Sequence, residues 1–385
     1  MTRVLTGVAL VTVATMMAVA AGCTDRATAQ ASDSQRISVQ ATDNDCIVSA
    51  GDAPAGRLSF TITNRGTQVT EFMLMGPHGI GILGTVEDLA PGLTRELVLT
   101  VPSGQYLAAC RPGMTGDGIR QQFKVHGSTE LEGTDDRELI NQAVDSYEAY
   151  VRHQAQELLA DTELFVTAYT AGEDDRARQL YPETRIHWER IETVTHSFRD
   201  LNAHLDSREA DLASNQQWTG WHRIEKDLWP QRADGYVPLS PAQRIEYADA
   251  LMEATRAVEE RTRTTRFTLH EIGHGARTLL DEVATRKVTG EEEYWSRTDL
   301  WDFQGNLDGA RVAWAGLRPF LQQRDPALDR QLASGFDDVQ ILLNRHRVGS
   351  GFKGYDELSH EEIRELADAV NRLSEPLAQL AAAVA

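Results

Sequence analysis

The apolar residues of this chain change their spacing once, and that change fixes what the chain can fold into. Up to about residue 126 they alternate with polar ones in short stretches such as Arg57-Leu-Ser-Phe-Thr-Ile-Thr and Glu96-Leu-Val-Leu-Thr-Val. From Arg137 onward they recur at i, i+3 and i+4, as in Leu139-Ile140, Val144, Tyr147 and Tyr150-Val151. A period of two fits half-buried strands and a period near 3.6 fits amphipathic helices, so two cores in series are expected. The 385 residues, 41% hydrophobic and 25% charged, are enough for both. The expectation is a small all-β sandwich over 36–126, a polar linker over 127–136, and an all-α bundle assembly over 137–383.

The first residues stand outside both cores. Arg3 is the sole charged residue before Asp25, and it precedes an apolar run from Val4 to Ala21 that ends in Ala20-Ala21-Gly22-Cys23. This is the pattern of a signal peptide over 1–22, and the small residues before Cys23 resemble a bacterial lipobox, with Cys23 the lipid-modified residue. Plain cleavage and a retained membrane anchor are the alternatives, the run being about as long as the ~20 residues a spanning helix needs. All three place the rest of the chain outside the cytoplasm. Residues 23–35 read as a flexible tether. A formal charge of −20, from 38 Lys+Arg against 58 Asp+Glu, argues against nucleic-acid binding. With Lys124, Lys226, Lys287 and Lys353 the only lysines, lysine-based covalent chemistry is also disfavoured.

In the β-region, Asn64-Arg65-Gly66, Ala90-Pro91-Gly92 and Pro102-Ser103-Gly104 supply turns between strands. Cys46 and Cys110 remain as a pair in an oxidising compartment, where a disulfide is one reading. The other starts from Tyr106-Leu-Ala-Ala-Cys110-Arg-Pro-Gly-Met114, which resembles the ligand loop of cupredoxins. It lacks the histidine a blue-copper centre needs between the cysteine and the methionine. What is left is a candidate copper site of Cys46, Glu71 and Cys110, with Met114 as a weak ligand. Met73, Met75 and His78 are further soft donors, although a methionine stripe in a strand is more often core.

In the helical region, breaks are expected at Gly172, Pro182, Gly220, Pro238 to Pro241, Gly290, Pro319, Asp325-Pro326 and Gly349 to Gly354. His222 and Glu225 are spaced i, i+3, which puts them on one helix face where both can grip a cation. Glu189 and Glu192 repeat that spacing, as do Asp206 and Glu209, and Asp281 and Glu282 stand beside an apolar stripe. One such acid is ordinarily a solvated helix face; the group of them favours a metal. A rival motif is His270-Glu271-Ile-Gly-His274, an HExxH pattern with Glu291 to Glu293 as a source of a third zinc ligand. Against it stand Gly273 and Gly275, each costing roughly 1 kcal/mol in a helix. A metallopeptidase is therefore the alternative function. A second is a polysaccharide-binding adaptor using Trp218, Trp221 and Trp229.

The segments Tyr181-Pro-Glu-Thr-Arg, Trp188-Glu-Arg-Ile-Glu192, Gly220-Trp-His222-Arg-Ile-Glu225-Lys, Leu279-Leu-Asp-Glu-Val-Ala, Lys287-Val-Thr-Gly-Glu-Glu and Thr298-Asp-Leu-Trp-Asp302-Phe-Gln-Gly-Asn306 together resemble the EfeO/EfeM family. These are extracytoplasmic components of bacterial iron uptake systems with an imelysin-like helical domain, and EfeO forms also carry a cupredoxin-like domain. The resemblance spans nearly the whole mature chain in the same domain order. It implies a cupredoxin-like sandwich followed by an imelysin-like double bundle. It further implies partnership with a membrane iron permease and a haem peroxidase, and no enzymatic role of the chain's own beyond a change in iron oxidation state. Carried over by motif, the iron ligands (Fe³⁺ or Fe²⁺, with zinc as a substitute) are Glu189, Glu192, Asp206, His222, Glu225 and Glu282. The HExxH pattern is absent from that position in the family, which makes His270 and His274 local variation.

Overall fold

A computed structural model describes residues 35–76, 79, 81–114, 116, 118–127, 136–212 and 217–383. The expected signal segment, Cys23, the tether up to Ser34, His78 and most of the linker lie outside the described residues. No described helix is long and apolar enough to cross a membrane.

Among the described residues nine strands build a two-sheet sandwich. One sheet has the order β2 (Cys46–Val48), β1 (Gln35–Ala41), β4 (Gly56–Asn64), β7 (Thr94–Val101). The other has the order β3 (Asp52–Pro54), β9 (Ile119–His126), β8 (Gly104–Pro112), β5 (Thr70–Met75), β6 (Ile82–Leu89). The pairs β1/β4 and β3/β9 are parallel and the others antiparallel. Alternate residues point inward, and Phe60 meets both Phe72 and Phe123 with ring centroids 5.6 Å apart at the centre of the core. A disulfide joins Cys46 on β2 to Cys110 on β8 and so ties the two sheets together.

β5 is buried along its whole length, where alternation alone predicts a half-buried strand. The reason is α1 (Asp136–Thr170), a 35-residue helix that packs on the outer face of the second sheet. Phe72 and Leu74 face the sandwich core, whereas Met73 and Met75 join Ile82, Ala109 and Ala149 in a separate apolar cluster under α1. Beside it, Arg111 is buried and reaches Glu71 at 2.8 Å, Glu157 at 3.0 Å and His153 Nδ1 at 3.1 Å. Gln142 closes the other end of the contact by exchanging two hydrogen bonds with the Thr100 backbone.

Among the described residues eight more helices follow α1: α2 (Asp174–Ile191), α3 (Arg199–Leu205), α4 (Trp221–Leu228), α5 (Pro241–Thr264), α6 (Leu269–Thr285), α7 (Asp299–Arg324), α8 (Pro326–Arg345) and α9 (His360–Ala383). The helices α1, α2 and α5 form one bundle and α6, α8 and α9 the other, with α7 packing on members of both. Pro182 and Pro319 lie inside α2 and α7 instead of ending them. Glycines let the backbones approach where the bundles meet. A Cβ at Gly309 would stand 2.3 Å from the carbonyl oxygen of Arg190, one at Gly305 2.5 Å from Glu189 Cβ, and one at Gly275 1.9 Å from the carbonyl oxygen of Thr193. α6 and α7 are thereby pressed onto the end of α2, which carries the acidic residues described next.

Candidate metal centre

Five chain segments deliver the polar residues of one buried cluster. The last turns of α2 carry Arg185, Trp188 and Glu189, and Glu192 opens the 3₁₀ turn Glu192–Phe198. Asp206 caps the end of α3. α4 starts straight after Gly220, whose φ of 88° suits glycine and whose missing Cβ would lie 2.1 Å from the carbonyl oxygen of Leu205. That contact sets His222 against Asp206. The 3₁₀ turn Lys287–Thr289 ends in left-handed Gly290 and leads into Glu291 to Glu293, and the first turns of α7 add Asp299, Asp302 and Asn306.

The His222 ring is fully buried and its two nitrogens face different partners. Nδ1 is 3.1 Å from Glu225 Oε2, while Glu225 Oε1 accepts hydrogen bonds from the backbone N–H groups of Trp295 (2.9 Å) and Ser296 (2.6 Å). Three of the roughly four acceptor positions of Glu225 are thus used. Nε2 has no hydrogen-bond partner among the described residues; Asp206 Oδ1 lies 3.4 Å away and Glu292 Oε1 3.9 Å away. Asp206, His222 and Glu292 each offer a ligand atom within 4.8 Å of the others, as do His222, Glu225 and Glu293. Arg185 underpins the site, binding Glu189 at 2.5 Å, Glu293 at 2.6 Å, and Asp206. Next to this cup is a second one: Lys287 Nζ sits 2.7 Å from Glu189 Oε2, 2.6 Å from Glu192 Oε2 and 3.9 Å from Glu292 Oε1.

This geometry can be set beside known proteins. An imelysin family model matches residues 143–380 and a cupredoxin-like domain model matches residues 9–120. The iron uptake system component EfeO of Escherichia coli O157:H7 is 31% identical over 355 residues, covering 91% of this chain and 92% of that protein. The EfeO of Yersinia pestis matches with the same identity and coverage. The chain belongs to the EfeO family. Its architecture, a cupredoxin-like sandwich followed by an imelysin helical domain, is the expected one.

Of the six acids and histidines expected as iron ligands in this EfeO-family chain, Asp206, His222 and Glu225 converge. Glu189 and Glu192 stand in the adjoining cup, held by Lys287 and by Asn306 Nδ2, which donates to both carboxylates at 2.9 and 2.8 Å. Glu282 is not in the cluster: it lies on the outer side of α6, partly exposed, 3.3 Å from Arg286 one turn on. Asp299, Asp302 and the cations Arg185 and Lys287 belong to the cluster although no spacing rule singled them out, and Glu292 and Glu293, expected beside the HExxH pattern, join His222 instead. The two-domain EfeO motif segments contain several of them, and Asp302 and Asn306 could have been marked as polar residues in a helix that is otherwise packed all round.

Eight carboxylates (Glu189, Glu192, Asp206, Glu225, Glu292, Glu293, Asp299, Asp302) surround two permanent cations, Arg185 and Lys287. Burial pushes Glu293 up to about 8, with the like charge of Glu225 adding to it, and pushes Asp299 up to about 7. Burial raises Asp302 well above the usual carboxylate range, helped by Glu189 and Glu293. Burial and Arg185 oppose a charged His222, but Asp206, Glu225 and Glu293 outweigh them and hold its pKa well above that of a free imidazole. Burial likewise opposes an ionised Asp206, which Arg185 and His222 nevertheless keep far below the ordinary value. A buried site that retains protons for want of positive charge is one a metal cation can enter by displacing them.

The expected copper site is not assembled. Cys46 and Cys110 are bonded to each other, which removes both thiolates. In addition, Cys110 pairs with Phe72 and points into the sandwich, whereas Glu71 pairs with Arg111 and points at α1, so the carboxylate is on the opposite face of the sheet. Met114 occupies a turn after β8 with φ 61°, and Met73 and Met75 fill the contact with α1. The HExxH residues lie in the first turns of α6, with His270 and His274 exposed. Glu271 accepts hydrogen bonds from Thr268 N (2.7 Å) and Oγ1 (2.8 Å), which makes it the N3 member of a capping box. Trp221 is in the helical core, Trp218 packs on Trp295 and Trp229 on Tyr181, so the three rings do not form an open platform.

Proposed function

We propose that this chain is the extracytoplasmic iron-receiving component of an EfeO-type uptake system, taking the cation at His222 Nε2 with Asp206 and Glu292. The observation that carries this reading is a fully buried imidazole nitrogen with no hydrogen-bond partner among the described residues, turned toward two carboxylates in a pocket with an excess of negative charge. Hard oxygen donors with one imidazole suit ferrous or ferric iron better than a thiophilic metal, with zinc as a substitute. Glu225 serves as the carboxylate that fixes the tautomer of the ligating ring, the arrangement common to histidines bound to metals. Iron held there is carried outside the cytoplasm on a chain anchored through a lipid at Cys23. It is then passed to a membrane permease that works with a haem peroxidase. A capping role for Glu271 and exposed flanking histidines favour a binding component over a zinc peptidase.

Elemental analysis of protein purified from its native envelope, followed by iron titration of wild type and of His222→Ala and Glu292→Gln, tests the reading. Iron in the wild type and an affinity loss of about 100-fold or more in both variants are expected for removal of a direct ligand, larger than the 10- to 100-fold typical of an outer-shell partner. Unchanged affinity in either variant overturns it.

A further inference from the structure

The acid cluster has donors for two cations, and one place is taken by the chain itself. Glu189 Oε2 and Glu192 Oε2 close on the Lys287 ammonium at 2.7 and 2.6 Å, with Glu292 Oε1 at 3.9 Å. Lys287 is 1% exposed and buried in the same wall as Asn306. Asn306 Nδ2 donates to the same two carboxylate oxygens, at 2.9 and 2.8 Å, while its own Oδ1 is buried with no hydrogen-bond partner among the described residues. Two carboxylate oxygens that converge on one buried positive charge, with a third 3.9 Å away, are the kind of donors a hard metal takes. Glu292 stands between the two cups, since its Oε1 is equally far from His222 Nε2 and from Lys287 Nζ. One turn of chain supplies both: Lys287 begins it, left-handed Gly290 redirects it, and Glu292 follows.

We infer that Lys287 is a tethered cation that occupies a second metal position and so restricts the centre to one iron. This rests on the proposed binding at His222 and goes beyond it, because it assigns Glu189 and Glu192 to a lysine and not to the metal. The ammonium supplies a single positive charge on a fixed stem where a bound ion would bring two or three, and it gives Glu192 its cationic partner and Glu189 a second one beside Arg185. Without it, the second cup has unbalanced charge and open oxygen donors beside the first. A metal ion then fits both needs.

The test is anaerobic titration with Fe²⁺ of full-length wild type, Lys287→Met and Glu192→Gln, reading iron per chain after gel filtration and the affinity of the first equivalent. Wild type is expected to bind one iron and Lys287→Met two. Glu192→Gln, which keeps Lys287 in place, is expected to bind one iron with affinity reduced less than about tenfold, as for a residue outside the coordination sphere. One iron in folded Lys287→Met, or two in wild type, overturns the inference. If Lys287→Met does not fold, Glu192→Gln decides: a loss of about 100-fold or more makes Glu192 a direct ligand and overturns it. No iron in wild type instead refutes the binding at His222 itself.

Discussion

Glu225 Oε2 is 3.1 Å from His222 Nδ1, the ring nitrogen opposite the one that faces Asp206 and Glu292. The HxxE spacing therefore builds a histidine with its orienting carboxylate, and the i, i+3 geometry that suggests two ligands gives one ligand and its support. Glu225 is anchored in turn by the Trp295 and Ser296 N–H groups, so the ring orientation is inherited from the loop that also carries Glu292 and Glu293.

Glu225→Gln is expected to weaken iron binding by about 10- to 100-fold, the effect of losing an outer-shell partner, while leaving one iron bound at saturation. The amide keeps one oxygen for the backbone donors and turns a donor toward Nδ1, which favours the tautomer with its proton on Nε2, the wrong one for coordination. Competition with a chromogenic chelator reads the difference from His222→Ala, whose loss should be larger.

Removing the Cys46–Cys110 link by a double alanine substitution should destabilise the sandwich by about 4 kcal/mol on the loop-entropy account, given the 64-residue separation. Thiol labelling before and after reduction checks the bond, and denaturant unfolding checks the magnitude. Iron stoichiometry at the helical site should be unaffected.

The two-core architecture was legible because hydrophobic period is a local property and changes once, near residue 127. The contact between the cores was not. Met73, Met75 and Glu71 read as metal donors because a strand with one face on the sandwich leaves the other unexplained; α1 explains it, and no pattern within β5 announces a helix more than 60 residues away. Glu282 shows the converse error. It follows an apolar stripe, but its position on α6 turns it outward to Arg286. Glu292 and Glu293 lie in a turn, where no period marks which side chain is buried, and only the fold brings them to His222.

Arg111→Met should cost roughly 3–5 kcal/mol, because it leaves Glu71 buried beside α1 without its partner at 2.8 Å. Glu71→Gln combined with Arg111→Met should recover part of that loss, since the uncompensated charge is then gone. Equilibrium unfolding of the two variants and the wild type gives the comparison.

The metal-free protein is expected to lose stability between pH 6.5 and 8. Glu293 (about 8), Asp299 (about 7) and His222 hold protons in the folded state that the unfolded chain has already released there, so the native form binds more protons and stability falls as pH rises. His153, pushed down to about 3 by burial and by Arg111, acts with the opposite sign, but only below the unfolded value near 6.5. Each retained proton gives a slope of about 1.4 kcal/mol per pH unit. Denaturation at pH 6.5 and 8 measures the drop, and bound iron should shrink it by taking the place of those protons.

Glu271→Ala separates the two histidine motifs of the chain. Glu271 accepts from both the backbone and the hydroxyl of Thr268, and those bonds hold its pKa below the ordinary glutamate value, which identifies an ionised cap. Losing that cap should cost about 1 kcal/mol, or a fall in Tm of roughly 2–4 °C for a domain of this size. His270 and His274 are exposed on the same turns, Glu271 is already committed to the helix end, and among the described residues neither histidine belongs to a group of three metal donors. Iron affinity and stoichiometry should therefore be identical in Glu271→Ala and wild type, while the melting temperature drops. A zinc-dependent proteolytic activity in the wild type that disappears in Glu271→Ala would transfer the function from His222 to the start of α6.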